Sequence, residues 1–132
     1  MGIDLSVQEY EATLASIVRF KFDDNDDVPG PYFGSPFVAQ ASLKMLAELI
    51  DKCERAGDVR RAAGWRSWQE WSGRTAERPV VVRRVAASSH WDDWSAGQRR
   101  DYLRYCVAPF ALTDRDIEDL TTEVRAAQAR RL

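Results

Sequence analysis

The stretch Pro79-Val80-Val81-Val82-Arg83-Arg84-Val85-Ala86-Ala87 decides the fold class of this 132-residue chain. Three adjacent valines favour a strand, because β-branched side chains pack well on a pleated surface. Val81, Val82 and Val85 equally form a stripe at helical spacing, with Pro79 at a first-turn position where its missing N–H costs nothing. A lone strand would leave its backbone N–H and C=O groups without partners, and no second strand can be read elsewhere. The segment is therefore predicted helical, and the chain all-α.

The flanking sequence agrees. Upstream, Gly57 and Asp58 read as the C-cap of one helix and the N-cap of the next, a tight antiparallel connection. The helix that follows is predicted from Val59 to Trp71, carrying Trp65, Trp68 and Trp71 and ending before Gly73. Ser35-Pro36 opens the preceding helix, with Val38, Ala41, Ser42, Met45, Leu46, Leu49, Ile50 and Cys53 on its apolar face. Lys44, Glu48, Asp51 and Arg55 lie opposite, and Glu48–Lys52 and Asp51–Arg55 have i,i+4 pairing geometry. Ser6 and Glu9 have capping-box spacing ahead of the stripe Val7, Tyr10, Leu14, Ile17 and Val18. Downstream, Ser95 with Gln98 and Thr113 with Asp116 repeat that signature, and Pro109 separates the two segments. Tyr102, Leu103, Cys106 and Val107 form one stripe; Ile117, Leu120, Val124 and Ala127 form the last, with Arg125, Arg130 and Arg131 near its C-terminus. The expectation is a single compact domain over residues 1–132, a bundle of five or six helices with one long Pro/Gly/Asp-rich loop after the first.

That loop, Asp23-Asp24-Asn25-Asp26-Asp27-Val28-Pro29-Gly30-Pro31-Tyr32-Phe33-Gly34, is the main functional candidate. Two prolines and two glycines exclude regular structure, and loops of this length often carry function. Asp23-Asp24-x-x-Asp27 resembles the aspartate-rich magnesium motif of terpene and prenyl synthases. It lies in a loop rather than on a long helix, however, and has no companion motif. An EF-hand is excluded by Val28 and Gly34 at loop positions that require Gly and Glu. No metal or other cofactor is expected.

Charge is divided unevenly beneath a formal net of −2: residues 1–58 hold 11 acids and 5 bases, and residues 59–132 hold 10 acids and 14 bases. An acidic lobe steers a basic partner, while the acidic total argues against bulk nucleic-acid binding. The N-terminus lacks the basic n-region of a secretory signal and no segment is apolar enough for a membrane span, so a cytoplasmic setting is expected, with Cys53 and Cys106 reduced.

Other chemistry is thinly represented. Cys106, His90 and Asp92 or Asp93 contain the residue types of a thiol triad, but Cys106 sits in an apolar stripe, where a thiol is usually inert. One His and two widely spaced Cys cannot make a closed zinc site. The pairs Arg60-Arg61, Arg83-Arg84, Arg99-Arg100 and Arg130-Arg131 could touch phosphate only if aligned on one face. The reading is a non-catalytic protein-binding module, an immunity protein or antitoxin that neutralises a basic toxin domain. Asp23, Asp24, Asp26 and Asp27 would make charge contacts, and Tyr32, Phe33 and Trp68 would serve as apolar anchors. The alternative is a small enzyme or ligand-binding protein with a pocket lined by Trp65, Trp68, Trp91 and Trp94 and arginine anion clamps.

Overall fold

The computed structural model describes residues 4–23 and 32–131. Six α-helices lie within them: α1 Val7–Lys21, α2 Pro36–Arg55, α3 Val59–Trp68, α4 Glu77–Ala86, α5 Ala96–Val107 and α6 Asp114–Arg130. Single 3-10 turns at Trp71–Gly73 and Trp91–Asp93 carry the chain into α4 and towards α5. No strand occurs among the described residues, and no helix there is long and apolar enough to cross a membrane.

Local chemistry sets the boundaries. Full capping boxes open α1 at Ser6/Glu9, α5 at Ser95/Gln98 and α6 at Thr113/Asp116, each satisfying two otherwise orphaned amides. Ser35 caps α2 with Pro36 at its first position. Gly57 takes the left-handed backbone at φ 79°, and Asp58 accepts from Arg61 N to start α3; only glycine adopts that turn without strain. The valine segment is helical within α4, with Val81 and Val85 fully buried.

Three expectations need correction. Helix α3 stops at Trp68 rather than Trp71. Beyond it, the Gln69 carbonyl accepts from Ala111 N at 2.9 Å and the Gln69 side chain donates to the Pro109 carbonyl at 3.1 Å. That clamp turns the chain so that Trp71 enters the C-terminal core, which a continued helix would not reach. On α2, Ala41 is exposed and Ala39 is buried in its place. Lys52 pairs with Asp4 at 2.8 Å instead of Glu48, whose nearest cation is Arg55 at 3.5 Å.

Two apolar clusters hold the fold. Tyr10, Leu14, Leu46, Leu49, Cys53 and Ala62 join α1, α2 and α3. The larger cluster gathers Phe22, Phe33, Trp71, Trp91 and Phe110 with the buried faces of α4, α5 and α6. Each fully buried leucine contributes about 1.5–3 kcal/mol. Trp68 packs against both clusters, with its ring 4.9 Å from Trp65 and 4.9 Å from Phe110.

Two buried cations tie the clusters together. Arg84 on α4 donates to the carbonyls of Lys21 (2.8 Å) and Asp23, at the C-terminal end of α1. Lys21 in turn donates from Nζ to the carbonyls of Tyr105 (2.5 Å) and Ala108 (2.7 Å), at the end of α5. Carbonyls left unpaired by a terminating helix carry partial negative charge, so a cation there is favoured.

Candidate protein-binding surface

An apolar groove of about 370 Å³ opens between α1 and the start of α2, lined by Thr13, Ser16, Ile17, Phe20, Tyr32 and Val38, with Lys21 in its wall. Helix geometry explains its exposed aromatic. Phe20 comes six residues after the buried Leu14, a rotation that sets it about 120° from the core-facing direction. It is 68% exposed, Tyr32 is 54% exposed, and Phe37, in the first turn of α2, is 80% exposed. The Phe20 and Tyr32 rings lie 6.3 Å apart and tilted by 49°.

Lys21 leaves this groove apolar. Its stem passes along the wall while its ammonium points inward to the two α5 carbonyls. Burial lowers its pKa to about 8. Of the two basic residues of α1, Arg19 alone faces water.

The expected anchors divide. Tyr32 is at the groove and exposed. Phe33 is not an anchor: it is 3% exposed, packed edge-on against Phe22 at 6.2 Å, with the Arg84 guanidinium 5.0 Å from its ring. The burial follows from the turn at 32–34, which sends consecutive side chains in opposite directions, one to water and one to the core. Trp68 is half-buried and lies away from the groove, packed against both clusters. Asp23 is exposed, and its carbonyl is held by Arg84. Asp24, Asp26 and Asp27 lie outside the described residues. Phe20, Phe37 and Ile17 were not singled out by the sequence reading. The available signal was two phenylalanines lying off the buried stripes of α1 and α2.

The other candidate sites do not assemble. Trp65 packs on Trp68 and donates from its indole to Glu11 at 2.9 Å, Trp91 is buried in the C-terminal cluster, and Trp94 packs on His90 and Tyr102. The four indoles are thus spent in different contacts. Cys106 is fully buried and its thiol is pushed up to about 12 by burial, against the opposing pull of a Tyr102 hydrogen bond and the Lys21 charge. His90 is exposed and stacks on Trp94. Among the described residues, no three His, Cys, Asp or Glu side chains come together to hold a metal ion. The arginine pairs scatter: Arg61 binds Glu11 and Arg99 donates to the carbonyls of Trp91 and Asp92, whereas Arg83, Arg130 and Arg131 share one hollow.

No protein-family model, curated protein or solved structure matches the chain.

Proposed function

We propose that this chain is a non-catalytic protein-binding module whose α1/α2 groove receives a bulky apolar side chain from a basic partner protein. One observation carries the reading: Phe20 and Tyr32 stand exposed in a groove with an almost wholly apolar lining, and Phe37, the sequence neighbour of its lining residue Val38, is exposed as well. Aromatic rings of this size bury about 150–250 Å² each when covered, and such residues dominate binding energy at interfaces. The partner's charge follows from the acidic excess of residues 1–58 and from the inward turn of Lys21. Cations around the partner's apolar residue would meet a complementary field and associate faster. An immunity protein or antitoxin opposing a basic toxin domain is the narrower form of this proposal. The two buried free thiols, Cys53 and Cys106, suit a reducing cytoplasmic setting for it.

The test places a photo-crosslinking amino acid at Phe37 in the native host and purifies the protein it captures. Binding of that purified protein to Phe20→Ser/Phe37→Ser should be at least about tenfold weaker than to the parent chain, with an unchanged melting temperature. Raising salt should slow its association. A captured protein that is acidic, a second copy of this chain, or affinity indifferent to the double substitution would overturn the proposal.

A further inference from the structure

A second concave surface lies on the other lobe, between α4 and α6. Two adjoining hollows of about 320 and 290 Å³ share Pro79, Val82 and Arg130. Their floor is apolar: Pro79, Val82 and Ala86 from α4 meet Ala126 and Ala127 from α6. Their walls carry Arg78, Arg83, Arg130 and Arg131, with Glu123 the one carboxylate lining them among the described residues. Glu123 holds Arg78 in place through Nη1 at 3.0 Å. Arg130 and Arg131 end α6 with exposed side chains that make no hydrogen bond or ion pair among the described residues.

We propose that this groove binds a small phosphate ester, with Arg130 and Arg131 closing on the phosphate and the organic body resting on the Val82–Ala127 floor. A guanidinium presents two parallel N–H donors that match phosphate oxygens, and the two positive charges of Arg130 and Arg131 suit a dianion better than a lone carboxylate. Hollows of about 300 Å³ and upward are the size of small-molecule sites, and an apolar floor excludes water beneath an organic body. The net negative charge of the chain opposes a long polyanion, which favours a mononucleotide-sized ester over a nucleic acid.

The test is titration calorimetry of the full chain with AMP, adenosine, inorganic phosphate and a twelve-nucleotide single-stranded DNA. AMP should bind, adenosine at least about tenfold more weakly, and inorganic phosphate should compete with AMP. Arg130→Gln/Arg131→Gln should weaken AMP at least about tenfold, whereas Arg104→Gln, an exposed charge on α5 outside the groove, should change it by less than about twofold. All these side chains are exposed, so unchanged melting temperatures verify the fold. Absence of binding by both AMP and phosphate at millimolar concentration would overturn the proposal. So would equal affinity for AMP and adenosine, equal losses in the two variants, or DNA binding more than tenfold tighter than AMP.

Discussion

Arg84 donates from Nη1 to the backbone carbonyl of Lys21 at 2.8 Å, so one buried cation secures the helix end from which the second reaches out. Lys21 then caps α5, and three helices from distant parts of the chain are linked through backbone carbonyls.

Lys21→Met keeps most of the stem and removes the donor, leaving the Tyr105 and Ala108 carbonyls without it. We expect a loss of about 2–4 kcal/mol at pH 7 in urea unfolding. The pH dependence has a definite sign. Folded Lys21 releases its proton at about 8, and an unfolded lysine does so at about 10.4. Between those values the unfolded chain binds more protons, so this lysine's contribution rises with pH. The stability gap between parent and variant should widen across that window; a narrowing gap would refute the linkage.

Glu11 accepts from Arg61 Nε at 2.8 Å and from the Trp65 indole at 2.9 Å, fastening α1 to α3. The Arg61 hydrogen bond, ahead of that from Trp65, holds its carboxyl below the usual range. Its contribution is complete above about pH 4.3, the unfolded value, and is lost as pH falls through the lower folded value. Glu11→Gln should cost about 1–2 kcal/mol at neutral pH and give a shallower acid-unfolding limb, read by circular dichroism. Identical acid limbs would show that Glu11 is not a linked group.

A methyl group on residue 34 would come 2.6 Å from Tyr102 Cε1, well inside contact distance. Gly34→Ala should therefore destabilise by about 1–3 kcal/mol, since the Tyr102 ring already packs on Trp94 at 4.8 Å. In a Tyr102→Ala background the same substitution should cost much less. Equal costs in both backgrounds would locate the strain elsewhere.

Burial raises the pKa of both thiols, Cys106 to about 12. Neither should react with Ellman's reagent in the native protein at pH 8, and both should react promptly in denaturant. Rapid native labelling of either would mean that its cluster opens locally.

Sequence periodicity reveals the six helices of the described residues, five of which begin or end at chemistry that acts within a few residues (capping boxes, Pro36, Gly57), while α4 has no side-chain cap and is legible from its valine stripe alone. It failed where distant parts decide. The end of α3 depends on Gln69 meeting residues 109–111, and the pairing of Lys52 depends on Asp4, which a helical repeat cannot register. The candidate surface was half legible. Tyr32 was identified from its place in the loop, but the opposite fate of Phe33 depends on Phe22 and Arg84. Phe20 and Phe37 were overlooked because periodic patterns emphasise what faces inward.

Trp68 gives the molecule a common keel. Shortened to alanine, it would open a seam that α1 and the Lys21 and Arg84 bonds still span. Heating should accordingly give one calorimetric peak for the parent protein and one, at a lower temperature, for the trimmed variant.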